Sequence, residues 1–202
     1  VQSAQAAACC PALNGEPVLT IVVLDACTDG TAAIARQCGA LTLAVDAHNV
    51  GMARAAGARM ALAMGARWLA FTDADTTVAP EWLHEQVSLD SDAVCGTVSV
   101  TDWGVHGEPM RRHFNATYTD ADGHQHIHGA NLGVSAQAYH RAGGFAPLAS
   151  SEDVAFVRAL QAVGARIAWS AAPRVVTSAA RAPLPSRIML VATVVPCSTW
   201  PS

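Results

Sequence analysis

The strongest constraint on this chain is a series of short apolar runs, each closed by a polar turn and followed by a stretch of helical composition. Residues 18–24 (VLTIVVL) are β-branched and apolar almost throughout, as a strand covered on both faces is. The run stops at Asp25, and Thr28-Asp29-Gly30-Thr31 then opens a helix reaching about Cys38. Residues 41–45 read as a second strand. Residues 51–64, dense in Ala, Met and Arg, read as a helix that ends at Gly65. Residues 68–72 (WLAFT) form a third strand running into Asp73-Ala74-Asp75, Pro80 begins a short helix, and residues 93–100 give a further strand. Residues 129–134 return to apolar character, 136–142 and 152–163 are helical, and 166–169 form a last short strand. Between them, residues 101–128 are polar, rich in histidine and without steady period, which predicts a long loop. Strands alternating with helices imply a single α/β domain with a mostly parallel central sheet flanked by helices. Ligands bind such sheets beyond the carboxyl ends of the strands. Asp25 and Asp73 both stand at such ends.

Composition narrows the function. The 202 residues suit one domain, and 51% hydrophobic against 14% charged residues can build a large core. A net charge of −4 gives no basic footprint, so nucleic acid is excluded as a partner. A phosphate-bearing ligand must instead be met by local cations, helix ends or a metal. The cysteines at 9, 10, 27, 38, 95 and 197 form no CxxC pair and no zinc-finger spacing. They read as thiols of a reducing compartment, which places the chain in the cytoplasm, with peripheral attachment to a membrane as the alternative. Residues 1–13 lack the basic start and long apolar stretch of a signal peptide. The late apolar run at 188–195 falls far short of the roughly 20 residues of a membrane span, so no transmembrane segment is expected.

Asp73-Ala74-Asp75 carries the first chemical signal. Two carboxylates one residue apart, just past a strand, can approach a hard divalent cation from one side and leave room for substrate phosphates. Alone the triplet is weak, because aspartate after a strand is ordinary turn chemistry. Its context is an ordered series: VVLDACTDGT, NVGMARAAG, WLAFTDADTTVAPEWL, HGANLGVSAQAYHRAGGF and SEDVAFVRAL. Taken together these segments, from about residue 18 to residue 169, resemble the family-two glycosyltransferases of the GT-A fold.

The resemblance implies a transferase that moves a sugar from a nucleotide-diphosphate donor, UDP-linked as the first expectation, to an unknown acceptor, with inversion and with Mg²⁺ or Mn²⁺ as cofactor. It assigns Asp25 to the nucleotide base and Arg54, in a segment that also holds Gly57, to the base and phosphates. Asp75 binds the metal, and Asp73 holds the metal or the donor. Gly129, Ala130 and Asn131 line the donor sugar and acceptor pocket. Asp153, following Glu152, is the catalytic base. The rival readings are a turn-capping Asp25, a surface Arg54, and a Glu152-Asp153 pair that only complements a helix dipole.

His124, His126 and His128 alternate as side chains on one face of a strand do. They offer either a zinc site or polar residues of a loop. His128, beside Gly129, is the best candidate of the three and joins Glu152 as a pocket residue, while His106 and His113 have no assigned partner. Two departures from the family pattern stand out. No apolar strand precedes residues 2–13, although family members open with one, so either the chain is partial or another element fills the gap. The segment after Arg181 matches nothing in the family. The domain is accordingly placed at 1–181, partial at its N-terminus, with 182–202 as an atypical tail. Two other classes compete: a nucleotidyltransferase, which would need a glycine-rich basic phosphate loop that is not seen, and a non-catalytic nucleotide-sugar-binding protein.

Overall fold

A computed structural model of the chain describes residues 1–103, 107–178 and 187–195. The elements are α1 (Gln2–Ala8), β1 (Val18–Asp25), α2 (Thr31–Gln37), β2 (Leu41–Val45), α3 (Val50–Ala63), β3 (Trp68–Asp73), β4 (Thr77–Val78), α4 (Trp82–Ser88), β5 (Ala93–Gly96), β6 (Ser99–Asp102), α5 (Gly107–Thr117), β7 (Leu132–Ser135), α6 (Ala136–Arg141), α7 (Glu152–Ala162), β8 (Ile167–Ser170), β9 (Val175–Ser178) and β10 (Arg187–Val194). A seven-stranded sheet in the order β2-β1-β10-β3-β7-β5-β8 forms the centre, and β4-β9-β6 make a small second sheet.

Period-two alternation sets the two sides of the large sheet. Val22 and Leu24 of β1, Trp68 and Ala70 of β3, and Leu190 and Ala192 of β10 face one side, with Ala4, Ala7, Trp82 and Leu83 from α1 and α4. Ile21, Val23, Leu69, Phe71 and Val191 face the other, against α3, α6 and α7 through Ala53, Ala58, Ala138, Phe156 and Leu160. Both faces of the strands are dry, which is why their sequences carry no polar alternation. Helix α3 lies close on this second face at Gly57, where a Cβ would stand 2.7 Å from Val23 Cγ2 and 2.9 Å from Val191 Cγ2. The glycine of the ARAAG segment therefore serves helix–sheet packing.

The α/β expectation holds, with the sheet mixed rather than purely parallel. β1, β2, β3, β5 and β8 share one direction, but β10 and β7 run against them. Each occupies an interior position, so most neighbouring pairs are antiparallel and the sheet is mixed. An apolar run buried on both faces looks the same read in either direction, so the pattern marks a strand without marking its sense.

β10 answers the question of the gap. It lies between β1 and β3 and pairs antiparallel with both, from Val18↔Val194 to Asp25↔Arg187 on one side and from Met189↔Asp73 to Val194↔Trp68 on the other. The segment read as a tail thus supplies an interior strand, and it satisfies the ladder groups that an open slot beside β1 and β3 would strand.

Residues 93–100 are two strands rather than one: β5 belongs to the large sheet and β6 to the small one, with Thr97 and Val98 between them. The expected loop at 101–128 holds helix α5. None of its side chains is buried, so no core-facing period advertises it. Glu108 pairs with Arg111 and Arg112 along its surface instead. Among the described residues no helix is long and apolar enough to cross a membrane. His106 and Cys197 lie outside the described residues.

Candidate active site

Asp25 ends β1 with its side chain turned inward, 1% exposed. Oδ1 accepts from the backbone N–H of Ala47 (2.7 Å) and His48 (2.9 Å), and Oδ2 from that of Asn49 (2.9 Å). A carboxylate holding three amides fixes the loop between β2 and α3. Asn49 then caps α3 by accepting from Met52 N–H. The structure therefore gives Asp25 the work of a clasp on this loop, and its carboxylate does not face open space.

Arg54 is the surprise. It stands one turn into α3, is 3% exposed, and reaches two acids from the third and the last of the five segments. Nη2 donates to Asp73 Oδ1 at 2.8 Å, and Nη1 donates to Glu152 Oε1, 98 positions away, at 2.5 Å. Its Nε has no partner, and its guanidinium lies 5.8 Å over the Phe145 ring. Gly129 seats directly on it: a Cβ there would stand 1.9 Å from Nη1. Arg54 is thus neither a surface cation nor free for phosphate. It ties the end of β3 to the start of α7, and only a planar fork can bind two carboxylates in this way.

The Asp73-Ala74-Asp75 turn opens outward from this knot. Asp73 is half-shielded by Arg54, with 35% of its side chain exposed. Asp75 is exposed, with its carboxyl pushed up from the ordinary value chiefly by partial desolvation and then by the like charge of Asp73. Asp75, Thr76 and Thr77 line an open cavity of about 600 Å³ together with Gln2, Ser3, Ile34 and Cys38. The Mg²⁺ or Mn²⁺ expected from the sequence finds a suitable donor set here. Two hard oxygen ligands already repel one another beside a cavity, and a small divalent ion completes its shell with water and phosphate. Among the described residues no group of three His, Cys, Asp or Glu is placed to hold a metal by itself.

Asp153 follows Glu152 in the first turn of α7. Its Oδ2 accepts from Gly129 N–H at 2.8 Å and its Oδ1 from Val154 N–H at 2.8 Å. Glu152 and Asp153 adjoin in the chain and Gly129 packs against the Arg54 guanidinium, so one packed unit carries the Arg54–Glu152 pair and the Gly129–Asp153 bond. Behind it Cys95 is buried, its thiol pushed up to about 12 by burial and then by the charge of Asp153. That sulfur is a wall and not a nucleophile. His128 borders the same unit. Burial, then the neighbouring His126, hold its imidazole down to about 4, while the charges of Asp153 and Asp73 pull the other way.

The remaining expected residues support the site from behind. Ala130 and Asn131 are buried. The Asn131 amide accepts from Trp82 Nε1–H (2.9 Å) and donates to the carbonyls of Thr97 (2.7 Å) and Pro173 (2.9 Å). It braces the junction between the two sheets rather than a pocket wall. Of the three alternating histidines, His124 and His126 stack and His128 lies tilted at 6.0 Å from His126, and they make no metal shell among the described residues. His124 and His126 lie 5.5 Å apart and near parallel, Tyr118 stacks on His126 at 4.1 Å, and Phe114 on Tyr118 at 4.3 Å. Reading the sequence missed Trp82 and Tyr118. The first is a tryptophan buried with a bonded N–H, and the second follows a helix whose pattern gave no sign of it.

The family model for glycosyl transferase family 2 matches residues 8–143. No curated protein matches significantly. Among solved structures the chain resembles GalNAc-T7 with UDP, GalNAc and Mn²⁺ at 15% identity and a TM-score of 0.52, covering 73% of this chain. It also resembles the mannosyltransferase PcManGT from Pyrobaculum calidifontis in complex with GDP-Man and Mn²⁺, at 21% identity, a TM-score of 0.54 and 77% of this chain. A mycobacterial protein matches at 14% identity and a TM-score of 0.51, covering 88%. The present chain spans 34%, 46% and 60% of those three chains respectively.

Proposed function

The chain belongs to glycosyl transferase family 2, and from that premise we propose that it transfers a sugar from a nucleotide-diphosphate donor to an acceptor hydroxyl, with inversion at the transferred carbon. The observation that carries this reading is the buried Arg54 bridge between Asp73 and Glu152. It ties Asp73, the first acid of the metal-type pair, to Glu152, the residue before the base-type Asp153, two carboxylates on one guanidinium. Beside it Asp75 feels the like charge of Asp73, which a bound cation would relieve.

Asp75 and Asp73 would hold Mg²⁺ or Mn²⁺, which supplies positive charge for the leaving diphosphate. Mn²⁺ accompanies a nucleotide or nucleotide sugar in two of the similar structures, and the cavity beside Asp75 is large enough for a nucleotide. UDP-sugars come first and GDP-sugars second as donors. Asp153 takes the acceptor proton as the new glycosidic bond forms and the bond to the diphosphate breaks, while Gly129 N–H fixes the carboxylate that receives it. Asp25 and Arg54 serve the donor by position: one sets the loop before α3, the other orients Asp73. Gly129 borders the donor sugar, with Ala130, Asn131 and Glu152 holding that wall in place. The domain comprises residues 1–181 together with the strand contributed by 187–194. The cytoplasmic setting is proposed from cysteine usage in the sequence alone.

The test measures nucleotide release from UDP- and GDP-sugars with Mn²⁺. Asp75→Ala should abolish metal-dependent turnover, and Asp153→Asn should lower it by about 10²–10⁴-fold. Unchanged turnover in both variants removes the mechanism, and donor binding without any turnover favours a non-catalytic nucleotide-sugar-binding role.

A further inference from the structure

Tyr118 follows α5, its N–H bonded to Phe114 O at 2.8 Å. Its ring is held between two parallel plates. Phe114 lies on one side at 4.3 Å and 17°, and His126 on the other at 4.1 Å and 9°. The second plate is itself anchored, because His126 Nε2 accepts from Thr119 N–H (3.1 Å) and its backbone N–H donates to His124 Nδ1 (3.1 Å). A phenol clamped on both faces presents its hydroxyl in one fixed place.

That hydroxyl has two partners. Its oxygen accepts from Val98 N–H at 2.8 Å, and His128 Nε2 lies 3.0 Å away. An O–H group owns a single proton. With the oxygen accepting from Val98, the proton is free to go to Nε2. The reverse arrangement, with Nε2–H donating to the phenol, would leave the hydroxyl proton unmatched at a half-buried site.

We propose that Tyr118 is a positioning residue for the transfer: it blocks Nε2 of His128, fixes the neutral Nδ1–H form, and so leaves Asp153, not His128, to accept the acceptor's proton. A neutral imidazole whose Nε2 lone pair is already engaged and whose Nδ1 is protonated has no basic nitrogen to offer. It remains a hydrogen-bond donor next to the carboxylate. In proton terms, the acceptor O–H proton passes to Asp153, and His128 keeps the proton it has. The kinetic consequence rests on the transferase reading, whereas the placement of the proton rests on the Tyr118 geometry alone.

The experiment is a long-range ¹H–¹⁵N correlation spectrum of the imidazole rings in ¹⁵N-labelled protein near pH 7, with the His128 signals assigned by their loss in His128→Gln. Wild type should show a protonated Nδ1 and an unprotonated Nε2 at His128, and Tyr118→Phe should move that pattern towards a mixture of the two tautomers. The same variant should lose between about 10- and 100-fold in kcat for nucleotide release, the span expected when a group that orients another is removed, with donor KM within about twofold. A wild-type spectrum with Nε2 protonated overturns the proposal without any variant. So does a Tyr118→Phe spectrum that is unmoved while the fold is intact. If instead the tautomer is as stated and no donor is turned over by wild type, the transferase reading fails and the proton placement stands.

Discussion

Arg54→Met tests the knot on which the site depends. Methionine keeps most of the length and apolar bulk of the stem but removes the fork that binds Asp73 and Glu152. Breaking a buried ion pair by deleting one partner costs about 3–5 kcal/mol, because the other charge is left uncompensated. Glu152, with 7% of its side chain exposed, should carry most of that cost. Asp73, at 35% exposure, adds less because water screens it. For a chain of this size each kcal/mol lowers Tm by about 2–4 °C, so a drop of about 6–20 °C is expected. Thermal unfolding followed by circular dichroism reads it directly. Charge and volume can then be separated with Arg54→Met/Glu152→Gln. If the stranded carboxylate causes the loss, the double variant should regain more than about 1 kcal/mol over Arg54→Met, as coupled neighbours do. A single variant that loses less than about 1 kcal/mol, or a double variant whose losses simply add, would refute the argument that Arg54 acts as a buried bridge.

Two further outcomes follow from the same geometry. Gly57→Ala should destabilise the protein by about 1–3 kcal/mol through contact with Val23 and Val191, despite the better helix propensity of alanine; a gain in denaturation midpoint would show that α3 does not need the close approach. His128, held down to about 4 mainly by burial and by His126 and His124, against the opposing pull of Asp153 and Asp73, binds fewer protons folded than unfolded between pH 4 and the ordinary value near 6.5. Its contribution of about 3 kcal/mol is therefore complete above pH 6.5 and is lost as pH falls towards 4; urea titrations across that range should show His128→Gln with a shallower decline than wild type.

Much of the site could be read from the residues, but their duties could not. The acids at 73, 75, 152 and 153 were marked by their place after a strand and at the start of a helix, which are local features. Arg54 was marked too, yet on a helix of small residues a lone arginine has the same appearance whether it faces a ligand or two acids distant in the chain. Only the fold brings Glu152, 98 positions away, against it. Asp25 shows the same limit. A carboxylate beyond a strand end suits a ligand and a loop clasp equally, and the three amides that decide the matter belong to Ala47, His48 and Asn49, more than twenty positions on. Local pattern identifies polar groups, and long-range contacts determine their partners.

Strand direction was lost for a related reason, and β10 makes the case most clearly. Its residues were visible as an apolar run too short for a membrane, but nothing in an apolar run states which neighbours it pairs with or in which sense. The slot between β1 and β3 is specified from outside the run. Val22, Val23, Ala70 and Phe71 flank it with apolar side chains on both faces, so a strand apolar on both faces fits from either direction. The antiparallel sense places Met189, near the start of β10, opposite Asp73. The β10 backbone thus passes directly beside the first acid of the DxD turn. The strand that completes the sheet is also the strand that pairs with β3 at the candidate metal carboxylate, and the stability of the core and the placement of the site meet in this one pairing.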